Sequence, residues 1–257
     1  MYTFLLHSAS AVALLVWGAY MVKTGILRTF GEALRSWLAT RLSNRFAGFA
    51  AGMGLAMLLQ SSTAASLLVA SLQAGGLVST AAALAAVLGA DLGSALAARI
   101  LTLNISSLIP ILLIAGTFLF LRRMEKREGQ FGRMLLGFAF VLLALQSIMA
   151  STEPMRDSPI ILETLAHLPE HPCLAAAVGI VCAVLFFSSL AVVAVTAAAT
   201  ASGLLPASAA LWVVLGANFG SALLAAAATA GASKAARKAP LGNFFFRVGG
   251  FAAGAAI

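Results

Sequence analysis

The sequence predicts an all-α, polytopic membrane protein made of two inverted-topology repeats. Three observations lead to this fold class: the apolar composition, an internal repeat, and the lengths of the apolar segments. Of the 257 residues, 61% are hydrophobic and only 9% are charged, which is too little charge to cover a soluble surface of this size. Helices are expected rather than barrel strands, because the apolar segments are long and rich in Ala and Leu.

The internal repeat is visible when the chain is shifted by 127 residues. Residues 60–96 then fall on residues 187–223 without a gap, and 18 of these 37 positions are identical. The identities include a Ser-Ser pair and a ten-residue motif, VLGADLGSAL in the first copy and VLGANFGSAL in the second. Two copies of one unit are therefore expected, residues 1–127 and residues 128–257.

The apolar segments of the first unit differ in length. A membrane-spanning helix needs about 20 apolar residues, and residues 46–59 and 63–74 are each too short. Because polar residues separate these two segments, we predict a re-entrant helical hairpin over residues 46–74. The other predicted elements of the first unit are a spanning helix at 4–24, an amphipathic interfacial segment at 23–45, a helix at 78–103 that is broken near Gly89 to Gly93, and a spanning helix at 106–121.

The second unit repeats this order. The predicted elements are a spanning helix at 132–152, a hairpin at 173–202, a broken helix at 204–231, and the start of a further membrane helix near the end of the chain. Each unit crosses the membrane three times in this prediction. Since three is odd, the second unit is upside down relative to the first, as in the inverted repeats of many secondary transporters.

The basic residues predict the same topology. If the loop from Arg122 to Arg133 is cytoplasmic, 14 of the 16 Lys and Arg residues lie on the cytoplasmic side, among them Lys23, Lys234, Arg237, Lys238 and Arg247. The opposite side receives one basic and four acidic residues: Arg156, Glu153, Asp157, Glu163 and Glu170. We therefore expect a multi-pass protein of the cytoplasmic (inner) membrane with its N-terminus outside. This distribution fits the positive-inside rule better than nucleic-acid binding.

Polar side chains at the hairpin tips form the candidate binding site. Ser61, Ser62 and Thr63 are good N-cap types for the helix that follows them, as Ser188 and Ser189 are in the second unit. Helix N-termini present free amides and partial positive charge to an anion. The carbonyl ends of the preceding half-helices suit a small hard cation such as Na⁺.

Asp91 is the only acidic residue that this prediction places within the membrane. A carboxylate within the membrane has a high free-energy cost, so a functional role is the default interpretation of Asp91, either as a cation ligand or as a proton carrier. Arg99, two turns further along the helix, either compensates this charge or extends to the interface, and the sequence does not distinguish the two. The glycines near Asp91 and their repeat equivalents form a motif that serves either a helix break or helix packing: Gly89, Gly93, Gly216 and Gly220.

The segments QSSTAAS, GGL and LGADLGSAL, repeated at a fixed offset, resemble the sodium/phosphate cotransporter family (type II Na⁺/Pi symporters, bacterial branch). The resemblance covers roughly residues 11–251. It implies Na⁺-coupled symport of inorganic phosphate, which would lie between the two hairpin tips. By position, it implies substrate contacts from Gln60, Ser61, Ser62, Thr63, Ser94, Ser188, Ser189, Asn218 and Ser221, and Na⁺ near Gln60, Ser61, Asp91, Ser188 and Asn218.

Two departures from the family pattern leave alternatives open. Phe187 stands where the family has Gln, and Asp91 stands where it has Asn, so another small anion or proton coupling remains an alternative. A membrane scaffold or regulatory subunit is an alternative of another class. No nucleophile–base pair, nucleotide-binding loop or metal cluster is evident in the sequence, so an enzyme is not expected. The resemblance also leaves open a homo-oligomer and a missing C-terminal PhoU-like domain.

Overall fold

The computed structural model describes residues 2–42, 44–101, 107–122, 126–152 and 167–254. These residues form an all-helical fold, which confirms the all-α part of the predicted class. A short 3-10 turn, Leu168–Glu170, precedes the seventh helix. The α-helices are α1 (Tyr2–Arg41), α2 (Arg45–Leu59), α3 (Ser62–Ala74), α4 (Thr80–Leu101), α5 (Leu108–Arg122), α6 (Arg127–Thr152), α7 (Pro172–Leu185), α8 (Ser189–Ala201), α9 (Ala207–Ala228) and α10 (Lys234–Gly254).

Four of the described helices are long and apolar enough to cross a membrane: α1, α4, α6 and α9. Helices α2, α3, α5, α7 and α8 are apolar but have only 13 to 15 residues. At 1.5 Å per residue they measure about 20–23 Å, against about 30 Å of hydrocarbon. The predicted crossing at 106–121 corresponds to α5, which follows the undescribed residues 102–106, and it stays a prediction.

The two halves of the chain share their local structure. Helices α3 and α8, and likewise α4 and α9, begin and end at positions 127 residues apart. Two non-glycine residues among those described have a left-handed backbone, Gln60 (φ 52°) and Phe187 (φ 49°), and they are also 127 apart. The same holds for Gly76 and Gly203, both at φ 71°, at the ends of α3 and α8. The sequence repeat is therefore accompanied by a repeat of backbone conformation.

The predicted breaks in the two motif helices are wrong. Helices α4 and α9 run without interruption through both glycine pairs. A Cβ on Gly89 would lie inside 3.0 Å of the Phe49 carbonyl, and one on Gly216 would do the same with Ala176. A Cβ on Gly93 would lie inside 3.0 Å of the Met53 carbonyl, and one on Gly220 would lie just inside 3.0 Å of the Ile180 carbonyl oxygen. These glycines allow the close approach of helices α2 to α4 and α7 to α9, which was the alternative interpretation of the motif.

The predicted boundary between a spanning helix and an interfacial segment is also wrong. Residues 4–24 and most of residues 23–45 belong to one continuous helix, α1. Val22, Ile26 and Leu38 from both parts of α1 are buried in one apolar cluster with α2, α3 and α4. Packing of a shared apolar face therefore continues the helix past the polar residues that suggested a change of direction.

Helices that carry the predicted site residues lie where the two halves of the chain meet. Helix α3 contacts α9, and helix α8 contacts α4. The second helix of each hairpin therefore packs against the helix of the other half that carries the glycine motif. Helix α10 packs against α3, α4 and α9. Of the residues predicted on the outer face, Glu153, Arg156, Asp157 and Glu163 lie outside the described residues.

Candidate substrate- and ion-binding site

The two hairpin tips have the same local geometry. Ser61 precedes α3 with an extended backbone (φ −159°), and its Oγ accepts a hydrogen bond from the Ala64 amide at 3.2 Å. Ser188 precedes α8 with φ −156°, and its Oγ accepts from the Ala191 amide at 3.1 Å. Both serines are therefore N-caps, as predicted from their type. The remaining amides of each first helical turn have no partner within the helix.

Both tips line one cavity of about 990 Å³, which we call the tip cavity. Gln60 and Ser61 contribute to it from the first hairpin, and Phe187 and Ser188 from the second. Helix α1 forms a further wall of the cavity and carries the half-buried Lys23 there. The remaining wall is mostly apolar. The cavity therefore combines two helix N-termini with one ammonium group, which is a favourable environment for an anion.

Gln60 and Phe187 are equivalent in the repeat but differ in the cavity. Gln60 is 5% exposed, and its Oε1 has no hydrogen-bond partner among the described residues. A buried amide oxygen without a partner is unfavourable unless a ligand or water satisfies it. Phe187 is 76% exposed and cannot offer such a group. Of the two tips, the first therefore contributes more polar side chains to the cavity, Gln60 and Ser61 against Ser188 alone.

A charged cluster lies beside the first hairpin tip and is centred on Arg247 of α10. Arg247 forms a bidentate ion pair with Asp91: its Nε donates to Oδ2 at 3.0 Å and its Nη2 donates to Oδ1. Its Nη2 also donates to Ser62 Oγ at 3.4 Å. Its Nη1 donates to the Asn218 carbonyl and, at 2.6 Å, to Ser221 Oγ. We call this set the Arg247 cluster.

The Arg247 cluster is largely shielded from solvent. The Arg247 side chain is 9% exposed and that of Asp91 is 21% exposed. Asn243, one turn earlier in α10, donates a further hydrogen bond from Nδ2 to Asp91 Oδ1 at 3.4 Å. Beside the cluster, the rings of Phe219 and Phe244 pack 5.2 Å apart between α9 and α10. The ion pair is thus held in a low-dielectric environment, where an unpaired charge would be very unfavourable.

A smaller cavity of about 260 Å³ lies beside the second tip. Ser94, Arg99, Ser189 and Asn218 line it, together with apolar residues of α4, α8 and α9. Ser189 and Ser94 are the repeat equivalents of Ser62 and Ser221. One serine from each half therefore lies at each place: Ser62 and Ser221 beside Arg247, and Ser94 and Ser189 at this cavity.

The predicted site residues fall into three neighbouring groups rather than one. Gln60, Ser61 and Ser188 line the tip cavity. Ser62, Asp91, Asn218 and Ser221 belong to the Arg247 cluster, and Thr63 joins them through a 3.4 Å hydrogen bond to the Ser221 carbonyl. Ser94 and Ser189 line the smaller cavity, which Asn218 also reaches.

Sequence reasoning missed two residues of this region. Arg247 was predicted on the cytoplasmic face, but α10 places it inside the bundle as the partner of Asp91. The signal was present, because an arginine between Phe-Phe-Phe and Val-Gly-Gly is a charge within an apolar run. Lys23 was also assigned to the cytoplasmic face, but it lines the tip cavity. The cation that compensates Asp91 is Arg247, whereas Arg99 lies at the smaller cavity.

Comparison with known proteins gives one family. Residues 14–150 and 159–251 match the family model described as Na⁺/Pi-cotransporter. The chain is 44% identical over 246 residues to the "Putative inorganic phosphate export protein YjbB" of Escherichia coli (strain K12), which covers 96% of this chain and 45% of that protein. It is 44% identical over 244 residues to the protein of the same name from Salmonella typhimurium (strain LT2), covering 95% of this chain and 45% of the relative.

The chain therefore spans less than half the length of the curated relatives it matches. No solved structure matches it. The family match extends through both halves of the chain and includes every group of the candidate site. The chain belongs to the Na⁺/Pi-cotransporter family.

Proposed function

We propose that the chain is a secondary active carrier for inorganic phosphate and that phosphate binds in the tip cavity between Ser61 and Ser188. The observation that carries the proposal is that both hairpin tips, with Lys23, line one cavity. The family description and the names of the relatives support phosphate as the substrate. The activity is transport rather than catalysis.

The chemistry of the tips suits a phosphate anion. Two helices begin at the cavity, and the unpaired amides and dipoles of their first turns attract negative charge. The Ser61 and Ser188 hydroxyls accept hydrogen bonds from the helices, and their protons are free to be donated to a phosphate oxygen. Lys23 adds a full positive charge from α1. Together these groups take the place of several of the water molecules that hydrate the anion in solution.

We propose further that Na⁺ accompanies phosphate and binds on the first hairpin. The partnerless Gln60 Oε1 is a neutral oxygen of the kind that coordinates Na⁺, and the αL turn at Gln60 brings it beside Ser61. This proposal retains three of the residues that the resemblance places near Na⁺: Gln60, Ser61 and Ser188. The direction of net transport depends on the ion gradients, because a carrier of this kind works in either direction.

The proposed movement is alternating access between two inverted repeats. The α2–α3 and α7–α8 pairs would act as re-entrant hairpins, because each of their helices is about 20–23 Å long and the backbone reverses at Gln60 and at Phe187. If the hairpins enter from opposite sides, the same cavity opens to each side in turn. The protein would lie in the cytoplasmic membrane with its N-terminus outside.

The direct test is phosphate exchange in reconstituted vesicles. Vesicles loaded with unlabelled phosphate should take up labelled phosphate, whatever the physiological direction. Ser61→Ala with Ser188→Ala should lower the exchange rate at least about tenfold, since each hydroxyl bond to a charged ligand contributes about 1.5–3 kcal/mol. The control is Ser147→Ala, since Ser147 is exposed and its hydroxyl donates to the Leu143 carbonyl of its own helix. Equal rates in the tip variant and the control would refute the proposal.

Two further comparisons test the cation and the ammonium group. A Na⁺ gradient alone should drive accumulation of phosphate, whereas a K⁺ gradient should not; equal accumulation would refute Na⁺ coupling. Lys23→Gln should weaken equilibrium phosphate binding about tenfold, because it removes the positive charge at the cavity wall. Arg28→Gln is the control, since Arg28 lies on the same helix but is exposed and outside the cavity. A loss of affinity in both variants would indicate a general charge effect.

A further inference from the structure

We propose that the guanidinium of Arg247 is a built-in cation that occupies an ion position between the two halves, so that no Na⁺ binds there. This inference deepens the proposed function, because it rests on a cation-coupled phosphate carrier and concerns how many ions that carrier binds. The family resemblance implies Na⁺ near Asp91 and Asn218. The proposal places the Arg247 guanidinium at that position instead.

The first argument is the nature of the atoms around Arg247. A guanidinium has five N–H donors, and here each of the five has an oxygen acceptor. The acceptors are two carboxylate oxygens, one backbone carbonyl and two hydroxyls. These are the oxygen types that coordinate small hard cations in proteins. The cluster is therefore a cation site by its composition, and a side chain of this protein fills it.

The second argument is that no donor of Arg247 is left for an anion. A guanidinium that binds phosphate does so with two parallel N–H groups that point to the ligand. In this structure both edges of the guanidinium face protein oxygens, on Asp91 on one side and on Asn218 and Ser221 on the other. Phosphate would first have to displace the ion pair. Arg247 is thus placed as a cation for Asp91 and not as a phosphate ligand.

The third argument comes from the repeat. The equivalent of Asp91 in the second half is Asn218, which carries no charge. Asn218 lines the smaller cavity together with Ser94 and Ser189, the equivalents of Ser221 and Ser62. The first half thus has one extra negative charge, and Arg247 supplies one extra positive charge beside it. A carboxylate buried to this degree needs a partner cation. Arg247 meets that need permanently, whereas Na⁺ would do so only when bound.

The position of the cluster gives this pairing a functional consequence. Ser62 and Asp91 belong to the first half and Asn218 and Ser221 to the second, so Arg247 links the two halves beside the first hairpin tip. An ion that binds at such a place can couple its own gradient to the movement of the halves. A tethered cation cannot leave, so this position contributes no Na⁺ gradient to transport. Phosphate flux should then depend on one Na⁺ fewer than it would with an empty Asp91 site.

The test counts Na⁺ on the purified protein by equilibrium binding of ²²Na⁺. Arg247→Gln should bind one more Na⁺ per chain than the wild-type protein, because the Asp91 carboxylate and its neighbours become available. Asp91→Asn combined with Arg247→Gln should lose that additional ion. Arg122→Gln is the control, since Arg122 is exposed and lies against Phe118 on α5; its Na⁺ count should equal that of the wild type.

Three results would overturn the inference. The first is an unchanged Na⁺ count in folded Arg247→Gln. The second is a phosphate affinity at least tenfold weaker in Arg247→Gln with no ion gained, which would make Arg247 a phosphate ligand. If Arg247→Gln folds poorly in choline, Na⁺ at ten times its dissociation constant should shift its folding equilibrium about tenfold, and choline should not. A failure of Na⁺ to rescue it, while the double variant folds, would also overturn the inference.

These results are independent of the transport assay. The Na⁺ count reports on the Arg247 cluster even if phosphate is not the substrate. Conversely, phosphate exchange that depends on Ser61 and Ser188 would stand even if the Na⁺ count in Arg247→Gln did not change. The two proposals therefore fail separately.

Discussion

The close contact of α2 with α4 gives the sharpest stability prediction, because two glycines of α2 differ only in their surroundings. A Cβ on Gly52 would lie inside 3.0 Å of the carbonyl oxygen, the carbonyl carbon and the Cα of Ala86. All three are backbone atoms and cannot turn aside. A Cβ on Gly54, two residues later in the same helix, would meet nothing within 4 Å.

The expected free-energy changes follow from these distances. Placing a methyl group in a tightly packed contact costs about 1–3 kcal/mol, and a rigid backbone neighbour favours the upper end. Alanine gains about 1 kcal/mol over glycine in a helix. Gly52→Ala should therefore destabilise the protein by about 2 kcal/mol, whereas Gly54→Ala should stabilise it by up to about 1 kcal/mol. The two variants should differ by about 3 kcal/mol.

The assay is reversible unfolding in mixed micelles with increasing SDS, followed by circular dichroism. The order of stability should be Gly54→Ala, wild type, Gly52→Ala. If Gly52→Ala is as stable as the wild type, or if both variants shift in the same direction by the same amount, then α2 and α4 do not touch through their backbones. In that case the packing role that we assign to the glycine motif is wrong.

Three further variants test local features by the same unfolding assay. Asp91→Asn should cost about 3 kcal/mol because Arg247 then remains buried without its carboxylate, and adding Arg247→Gln should recover part of that loss; strictly additive effects would contradict the pairing. Gly76→Ala should cost about 1–2 kcal/mol because φ is 71° there, while Gly75→Ala, at φ −77°, should be nearly neutral. Ser188→Ala should cost about 1 kcal/mol through loss of the α8 N-cap, and a neutral result would argue against that hydrogen bond.

The sequence predicted the hairpin helices well because their signals are local. The Ser-Ser pairs mark the starts of α3 and α8, and the offset of 127 residues transfers each boundary from one half to the other. The short apolar segments on either side also have the lengths that the structure shows. Capping residues and segment lengths act within a few residues of each other, so one sequence is enough to interpret them.

The glycine motif was harder because glycine has two uses that look alike in a sequence. It allows an unusual backbone, as at Gly76, and it allows another helix to come close, as at Gly89 and Gly216. Only the position of the neighbouring helix distinguishes them. The predicted break at Gly89 to Gly93 assumed the first use, and the structure shows the second.

Arg247 was assigned to the wrong environment for a similar reason. The predicted further helix began near Asn243, so Arg247 was grouped on the cytoplasmic side with the other basic residues near the end of the chain, Lys234, Arg237 and Lys238. Helix α10 instead begins at Lys234 and continues through Pro240. Over this length it carries Arg247 to Asp91, 156 residues away in the chain. A long-range ion pair of this kind cannot be deduced from local spacing.

The central claim is that phosphate binds between the two hairpin tips, and protection of single cysteines tests it most directly. In a background with Cys173 and Cys182 replaced by serine, Ser61→Cys and Ser188→Cys each place a thiol at one tip. Phosphate should slow the alkylation of both thiols at least about tenfold, with half-protection at the same phosphate concentration, and should leave Ser147→Cys unaffected. Protection of only one tip, or of neither, in protein that still exchanges phosphate would contradict a site shared by the two halves.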